Sequence, residues 1–187
     1  LLGGYLEETN DAYAIAKIAG IKMCESYNDQ YNMNYRCLMP TNTFGPNDNY
    51  HKLNSHFAPA MIKKIYDIKV KNKKKLLLWG NGKAKRELIY VEDIADACVY
   101  FMNKRTKESL INIGTGKDYS IEYLAKYFLK ILLPEKKIQI VFDKSKPNGV
   151  PRKVMDVKLA KKYGWLSKTS LKKAIINTYK SYINKLT

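Results

Sequence analysis

Apolar residues recur along this chain with two spacings, one typical of helices and one typical of strands. Helical spacing, with apolar positions three and four residues apart, defines segments at 11–30, 56–69, 92–103, 120–132, 157–163 and 170–184. Short apolar runs define further segments at 35–39, 76–79, 86–91, 110–114 and 138–142. Because the two kinds of segment alternate, the pattern predicts an α/β fold with a mostly parallel sheet.

The longest interruption of these patterns is residues 40–55, PTNTFGPNDNYHKLNS, a segment rich in proline, glycine and asparagine. These residues favour turns, so we expect an irregular loop. Loops of about 15 residues inside a compact domain are usually functional or disordered. Of the flanking helices, we expect Asn10 or Thr9 to cap the first and Ser55 to cap the second.

The composition is that of a globular protein, with 45% hydrophobic residues, and the formal net charge is +17. Such a charge raises the alternative of a basic nucleic-acid-binding module. However, arginine occurs only four times among the 34 basic residues, whereas proteins that read nucleic acids depend on the bidentate contacts of arginine. The charge therefore indicates solvated faces, and we expect no nucleic acid as a partner.

No apolar run approaches the roughly 18 residues that a membrane span requires, so we expect a cytoplasmic protein without a membrane partner. Cys24, Cys37 and Cys98 are scattered and lack the paired spacing of zinc ligands. They predict buried thiols, a reducing compartment and no metal site. The chain starts at Leu1 rather than at a methionine, and we expect it to be a fragment of a longer protein.

The stretch YAIAK places Tyr13 and Lys17 one helical turn apart, on one face of the first predicted helix. A free phenol is a poor proton donor at neutral pH, and a nearby ammonium makes it a better one by favouring the phenolate. With 15 tyrosines and so many lysines, the spacing Tyr-x-x-x-Lys is expected about twice by chance. It occurs twice, since Tyr100 and Lys104 also match, so the motif gains meaning only from its context.

That context is an ordered set of motifs: YAIAK on a helix, PTNTFGP after a strand, then WGNGKAKRELIYVEDIADA and INIGTG. In this order they resemble the second half of an extended short-chain dehydrogenase/reductase that acts on nucleotide sugars. The stretches ETNDAYAIAKIAGIKMCESYN and MPTNTFGPNDNYHKLNSHFAPAMI and the tail FDKSKPNGVPRKVMD resemble the GDP-L-fucose synthase family. The resemblance covers nearly the whole chain, and the loop around His56 is its most specific part.

The resemblance implies a fold and a division of the chain. The fold would be the C-terminal part of a Rossmann-type parallel sheet plus a smaller α/β substrate-binding domain. Residues 1–49 and 91–117 would belong to the NADP-binding domain, and residues 50–90 and 118–187 to the substrate-binding domain. The family's glycine-rich phosphate loop and its catalytic serine and cysteine would lie upstream of Leu1, so we expect the fragment to be inactive alone.

The resemblance also implies roles around the cofactor, NADP(H). Tyr13 would be the acid for carbonyl reduction, and Lys17 would assist it while hydrogen-bonding the nicotinamide ribose. His56 would lie beside cofactor and substrate and return a proton to carbon during epimerisation; a plain helix-capping role is the alternative. Four residues at a strand exit would contact the nicotinamide end of the cofactor: Pro40, Thr41, Asn42 and Thr43.

Four further residues would contact a GDP-sugar substrate: Lys64, Trp79, Arg86 and Asn148. An arginine fork suits a diphosphate and an indole face suits a sugar or a base, although core packing is the alternative for Trp79. The chain departs from the family pattern at two of these positions. Lys64 stands where we expect arginine, and Asn148 stands where we expect aspartate.

The implied reaction is the NADPH-dependent conversion of GDP-4-keto-6-deoxy-D-mannose to GDP-L-fucose, by epimerisation at C3 and C5 followed by reduction at C4. A nucleotide-sugar dehydratase or 4-epimerase is the alternative within the superfamily. Such an enzyme would share Tyr13, Lys17 and Arg86 but lack the loop around His56.

A stripe of small residues on the first predicted helix consists of Ala16, Gly20 and Cys24. Such a stripe permits another helix to approach closely, and related enzymes dimerise through this helix. We therefore expect a homodimer; packing of the stripe against the chain's own sheet is the alternative.

Overall fold

The structure is a computed structural model that describes residues 4–6, 8–52 and 54–186, with the backbone alone for residue 9. A short 3-10 turn, Glu8–Asn10, leads into the first helix. Helices in the described residues are α1 Asp11–Tyr31, α2 Phe57–Val70, α3 Val91–Met102, α4 Ile121–Leu132, α5 Lys158–Lys162 and α6 Leu171–Asn184. Each begins and ends within one residue of its predicted bounds. The apolar periodicity is strong in α4 and weak in α1.

Strands in the described residues are β1 Cys37–Pro40, β2 Asn42–Phe44, β3 Lys75–Trp79, β4 Lys85–Tyr90, β5 Leu110–Ile113, β6 Asp118–Ser120, β7 Gln139–Asp143 and β8 Arg152–Lys153. The five predicted strands correspond to β1, β3, β4, β5 and β7. The strands β2, β6 and β8 were missed because two or three residues are too short to display a period. The prediction of an irregular loop over residues 40–55 is therefore wrong for residues 42–44.

The strands pair in small sheets that are mostly parallel. β1 pairs with β5, β2 with β4, and β3 with β7, each in parallel. β4 also pairs with β6 in antiparallel orientation and with β8 in parallel orientation. The prediction of an α/β fold with mostly parallel strands is confirmed. It follows from the alternation of strands and helices, since parallel neighbours need a long crossover connection.

The carboxyl ends of β1 and β5 meet at one edge. Their register pairs Pro40 with Ile113, and the next residue, Thr41, donates its backbone N–H to the Ile113 carbonyl at 3.0 Å. The chain then enters β2, which pairs with the second half of β4. Residues 40–43 thus leave the carboxyl edge of parallel strands, the place where open α/β sheets bind their ligands.

The hydrophobic core consists of two clusters. The larger lies between α2, α4, α6 and the strands β3 and β4, and its fully buried members include Ile62, Ile65, Leu124, Phe128 and Ile175. The smaller joins α3, β5 and the segment around α5 through Ile89, Ala97, Phe101, Ile111, Ile113, Ala160 and Trp165. Buried positions three and four residues apart explain why α2 and α4 present one apolar face each. The division into two domains stays a prediction.

The predicted helix caps are only partly correct. Asn10 occupies the N-cap position of α1 but makes no side-chain cap hydrogen bond. The alternative cap, the side chain of Thr9, lies outside the described residues. The N-cap residue of α2 is His56 rather than Ser55, and its side chain makes no cap hydrogen bond either.

The cysteines differ in their surroundings. Cys24 and Cys37 are half-buried, whereas Cys98 is exposed, so the expectation of buried thiols is wrong for Cys98. Burial raises the pKa of the Cys37 thiol to about 11, and a hydrogen bond with Cys24 adds to the effect. Within residues 4–6, 8–52 and 54–186, no cluster of three or more His, Cys, Asp or Glu residues could hold a metal ion. The same residues contain no helix that is both long and apolar enough to span a bilayer.

Candidate active site

A cleft of about 610 Å³ opens at the carboxyl end of β1. Its lining residues are Tyr13, Met39, Pro40, Thr41, Asn42, Thr43, His56, Lys153, Val154 and Met155. The cleft therefore brings together the start of α1, the exit of β1, the residue before α2 and the segment after β8. Six of the seven residues predicted to act in catalysis or to bind the cofactor lie here; Lys17 is the seventh.

The floor of this cleft is fixed by hydrogen bonds to its neighbours. The side chain of Asn42 donates to the backbone carbonyl of Glu87 at 2.8 Å, across the β2–β4 pair. The Thr43 hydroxyl donates to the Thr41 carbonyl at 3.1 Å, which tightens the strand exit. Residues 40–43 all line this cleft, and three of them are polar.

The Tyr13 side chain is 60% exposed, and the Lys17 ammonium nitrogen lies 5.5 Å from the centre of the Tyr13 ring. The contact predicted from the four-residue spacing is thus present, with the cation over the ring face. The second match, Tyr100 and Lys104, has a similar ring contact at 6.0 Å. However, the Tyr100 hydroxyl donates to the Tyr163 carbonyl at 2.7 Å, where it joins two segments of the fold.

His56 precedes α2 in extended backbone, with φ of −68° and ψ of 169°. Its carbonyl accepts the N–H of Ala60, whereas its imidazole makes no cap bond and lines the cleft instead. His56 thus occupies the N-cap position, as the capping alternative expected, but its side chain forms no cap hydrogen bond. His51, which was predicted to be a loop residue, lies in the turn before α2, where its Nδ1 accepts the N–H of Asn54 at 3.3 Å.

A second pocket, of about 230 Å³, holds all four residues predicted to bind the substrate. Its lining residues are Phe57, Ala60, Met61, Lys64, Leu78, Trp79, Arg86, Ile121, Pro147 and Asn148. The Trp79 side chain is 59% exposed, and the Lys146 ammonium lies 6.0 Å from the centre of its ring system. Core packing, the alternative for Trp79, is therefore wrong.

The polar groups of this pocket are held by backbone atoms. Arg86 Nη1 donates to the carbonyls of Lys85 and Val150, at 2.7 and 2.6 Å, and burial lowers the pKa of its guanidinium. Lys64 Nζ donates to the Leu77 carbonyl at 2.9 Å, and burial likewise lowers the pKa of this ammonium. Two cations with part of their hydration removed make the pocket suited to an anion.

Asn148 closes the turn between β3 and β4. Its side-chain oxygen accepts the N–H of Asn81 at 2.8 Å, while Gly80 and Gly82 adopt left-handed backbone with φ of 76° each. A Cβ atom on Gly80 would lie 2.6 Å from the Asn148 oxygen, so only glycine permits this approach. At the position where the family pattern expects aspartate, the Asn148 side-chain oxygen is therefore already bonded within the chain.

The two pockets adjoin along two seams. His56 lines the cleft and the next residue, Phe57, lines the second pocket. Arg86 of the second pocket pairs in register with Lys153 of the cleft across the β4–β8 pair. A ligand with two chemically different parts could therefore occupy both pockets at once.

Three further residues line the cleft that no sequence motif predicted: Lys153, Val154 and Met155. The only signal for them was the basic pair Arg152–Lys153 within the tail that resembles the family. β8 is two residues long and obtains its position from β4, so no local pattern could place it.

The profile of the NAD dependent epimerase/dehydratase family matches residues 3–114 of the chain. The chain belongs to this family. Among curated relatives, the GDP-L-fucose synthase of Escherichia coli (strain K12) is 43% identical over 192 residues, covering 98% of this chain and 59% of that protein. The GDP-L-colitose synthase of Yersinia pseudotuberculosis is 40% identical over 186 residues, covering 98% of this chain and 60% of that protein.

Solved structures of this family match the fold. A GDP-L-fucose synthetase from Naegleria fowleri has a TM-score of 0.86 at 25% identity, covering 100% of this chain and 58% of that one. A GDP-D-glycero-L-gluco-heptose synthase from Campylobacter jejuni, determined in the presence of NADPH, has a TM-score of 0.83 at 30% identity, covering 98% of this chain and 63% of that one. The chain is a homologue of GDP-L-fucose synthases and spans somewhat more than half the length of these relatives.

Proposed function

We propose that this chain forms the substrate side and part of the catalytic centre of an NADPH-dependent GDP-L-fucose synthase. The enzyme would epimerise GDP-4-keto-6-deoxy-D-mannose at C3 and C5 and then reduce the ketone at C4. The observation that carries the proposal is the convergence of ten predicted site residues on two adjoining pockets. On this proposal the chain is the C-terminal part of a Rossmann-type domain plus a substrate-binding domain, and it is inactive without the remainder.

The cleft fits the nicotinamide end of NADP(H). It lies at the carboxyl edge of β1 and offers the polar side chains of Thr41, Asn42 and Thr43 within a volume of about 610 Å³, the size of ordinary cofactor pockets. The bound cofactor supplies the hydride that reduces C4. The residues of this chain would orient the nicotinamide and leave Tyr13 facing the carbonyl.

Reduction requires a proton on oxygen, and Tyr13 is the proposed acid. Its phenol lines the cleft, and Lys17 stands one turn along α1 with its ammonium over the ring. The positive charge stabilises negative charge that develops on the phenol as its proton leaves. Because Tyr13 is at the start of α1 and β1 ends beside it, the acid would face the same ketone as the hydride.

Epimerisation requires a proton on carbon, and His56 is the proposed donor. An imidazole changes its charge near neutral pH, which suits a group that delivers and recovers a proton. Its side chain lines the cleft beside Tyr13, and no capping bond occupies it. The two acids would thus serve the two half-reactions from one cleft.

The second pocket is the proposed site of the GDP part of the substrate. Arg86 and Lys64 are the cations for the diphosphate, and the exposed indole of Trp79 is the face for a ring. Lys64 is a point charge where the family pattern expects a fork, so it neutralises charge without bidentate geometry. We propose that Asn148 contacts the sugar through its amide nitrogen, since its oxygen is bonded to Asn81.

The identity of the product needs a direct measurement, because relatives named for GDP-L-fucose and for GDP-L-colitose are almost equally similar. The complete protein, incubated with NADPH and GDP-4-keto-6-deoxy-D-mannose, should oxidise NADPH and yield GDP-L-fucose, identified by NMR. Interconversion of the two C4 hydroxyl epimers of a nucleotide sugar, without net NADPH oxidation, would favour the 4-epimerase alternative instead.

The variant His56→Ala tests the assignment of the second acid. It should slow deuterium exchange from solvent at C3 or C5 by about 10²–10⁴-fold, as expected for loss of a general acid. His51→Ala is the matched control and should leave exchange unchanged. Equal effects of the two substitutions would contradict the role of His56.

A basic nucleic-acid module, the alternative from another class, would instead bind DNA in filter assays with a steep salt dependence.

A further inference from the structure

Glu87, in the middle of β4, is completely buried at 0% exposure. Its Oε1 accepts the backbone N–H groups of Thr115 and Gly116, the latter at 2.7 Å, and also the Thr115 hydroxyl at 3.1 Å. Its Oε2 accepts the N–H of Met155 at 2.7 Å. No salt bridge to Glu87 occurs among the described residues. A buried carboxylate is tolerated when hydrogen bonds replace water, and here four donors from two segments do so.

The surroundings of this carboxylate are shaped to it. A Cβ atom on Gly114 would lie 2.5 Å from Glu87 Oε1 and 3.1 Å from its carboxyl carbon, so a side chain there would have to displace the carboxylate. On the other side, the Glu87 backbone carbonyl accepts the side chain of Asn42 at 2.8 Å. One residue is therefore bonded to the floor of the cleft, to the loop after β5 and to the segment after β8.

The end of β8 and the two residues that follow it form one wall of the cleft. Lys153, Val154 and Met155 all line the cleft, together with Tyr13 and His56. The β8 pairing ends at Lys153, and the next anchors of this segment are the bond from Met155 to Glu87 and a 3.2 Å bond from the Asn112 side chain to the Asp156 carbonyl. The Glu87 side chain is thus bonded directly to this wall, while its backbone carbonyl is bonded to the floor.

We propose that Glu87 is a positioning residue for the reaction: it holds the wall Lys153–Met155 at the distance from Pro40–Thr43 that the reacting sugar needs. This inference rests on the proposed function. Glu87 does not line either pocket, so it acts through Met155 and Asn42. A displacement of reacting groups by about 1 Å can lower a rate by 10²-fold, which is why a buried residue behind the cleft can matter.

The first test is Glu87→Gln in the complete protein, with Asp96→Asn as the matched control. The control removes a carboxylate that also joins separate segments, by accepting Trp165 Nε1 and Lys168 Nζ at 2.9 and 3.1 Å, but lies away from both pockets. Glu87→Gln should lower kcat by about 10- to 100-fold while the Kd for GDP stays within about threefold, because the second pocket is intact. Asp96→Asn should leave both values within about threefold.

Amide hydrogen exchange provides a readout that does not depend on the reaction. Exchange at Met155, Thr115 and Gly116 should accelerate at least about tenfold in Glu87→Gln and stay unchanged in Asp96→Asn. If the protein shows no turnover but this exchange accelerates, the proposed function fails while the anchoring of the wall stands. Unchanged exchange, or equal losses of kcat and of GDP affinity, would overturn the inference.

A second pair of variants keeps the inference testable if the glutamine variant does not fold. Gly114→Ala places a methyl group against the carboxylate and should lower kcat by about tenfold. Glu87→Asp shortens the side chain by one methylene and makes room for that methyl group. In the Glu87→Asp background, Gly114→Ala should therefore lower kcat by less than about threefold. Additive losses would show that the Glu87–Gly114 contact does not control the wall.

Discussion

The helices α1 and α4 differ in how many of their side chains are buried. α4 has 12 residues, buries Leu124, Ala125, Phe128 and Leu129, and begins with a cap in which the Ser120 side chain accepts the N–H of Tyr123. α1 has 21 residues, yet none of its described side chains is buried and the side chain of its N-cap residue makes no cap hydrogen bond. The longer helix is thus the one with the fewer stabilising contacts inside this chain.

A half-buried stripe and a few polar bonds hold α1 in place. The stripe consists of Ala14, Ile18 and Ile21, which share one helix face. Near the end of the helix, the Asn28 side chain exchanges two hydrogen bonds with the backbone of Tyr35, at 2.9 and 2.7 Å. In proteins most of the stability of a helix comes from tertiary packing rather than from intrinsic propensity, so these contacts matter.

The proposed catalytic residues on α1 thus lie outside the core that stabilises the chain. Tyr13 and Lys17 are exposed, whereas α4 and α6 carry the fully buried side chains of the larger cluster. Substitutions on the outer faces of α1 should therefore change activity or assembly and leave stability almost unchanged. Substitutions in α4 and α6 should do the reverse.

The largest effect is expected at the start of α1. Tyr13→Phe in the complete protein should reduce NADPH oxidation by about 10²–10⁴-fold, because the phenol is the proposed acid for C4 reduction. Deuterium from solvent should still exchange at C3 or C5, since that step depends on His56. Tyr31→Phe, at the exposed end of the same helix, is the control and should leave both NADPH oxidation and deuterium exchange unchanged. Unchanged NADPH oxidation in Tyr13→Phe would refute the proposed mechanism.

The second largest effect is expected on the free energy of unfolding, which should depend on α6 and hardly on the outer face of α1. Ile175 in α6 is 0% exposed, so Ile175→Ala should lower the free energy of unfolding by about 2–5 kcal/mol. Ile15 in α1 is 56% exposed, and Ile15→Ala should change it by about 0.5 kcal/mol or less. Urea unfolding followed by circular dichroism measures both. Equal losses would mean that the outer face of α1 is covered in solution.

Assembly should respond to α1 alone. A Cβ atom on Gly20 would meet nothing within 4 Å, so the small stripe is not packed against described residues at this position. Gly20→Leu should preserve the helix, because leucine has the higher helix propensity, yet weaken the predicted homodimer by at least about tenfold. Ser26→Leu, on another exposed face, is the control. A monomeric mass of the unmodified complete protein by light scattering would contradict the dimer itself.

The smallest effect concerns a buried hydroxyl of the larger cluster. The Tyr50 hydroxyl has no hydrogen-bond partner within the described residues, and burial raises its pKa to about 12, with Asp48 as a lesser cause. Since the unfolded value is about 10, the folded state retains the proton more strongly. The stability that this contributes is present below pH of about 10 and is lost as the pH rises toward 12.

Tyr50→Phe should therefore flatten the loss of stability at alkaline pH. At neutral pH it should change the free energy of unfolding by no more than about 1 kcal/mol, because no hydrogen bond is removed. Urea unfolding at neutral and alkaline pH measures both effects, with Tyr31→Phe as the exposed control. An alkaline profile identical to that of the unmodified chain would show that Tyr50 does not govern it.

The helices and the longer strands could be predicted from the sequence, because their apolar residues recur with a regular spacing. The six helices and the strands β1, β3, β4, β5 and β7 follow from local apolar spacing, which is a property of each segment alone. The family resemblance also named ten residues that line the two pockets, because motifs at strand exits and helix starts keep their sequence context. Those assignments needed no knowledge of long-range contacts.

The three short strands, the wall of the cleft and the surroundings of each tyrosine depend on contacts between distant parts of the chain. β2, β6 and β8 exist because β4 pairs with each of them, and a strand of two or three residues has no signal without its partner. The wall Lys153–Met155 stands where the buried Glu87 carboxylate holds it, across 68 positions of sequence. The two Tyr-x-x-x-Lys matches are identical as patterns, yet Tyr13 lines the cleft while the Tyr100 hydroxyl is bonded to Tyr163. Spacing along a helix determines which side chains meet, but what they face is set by segments that pack against it from far away in the chain.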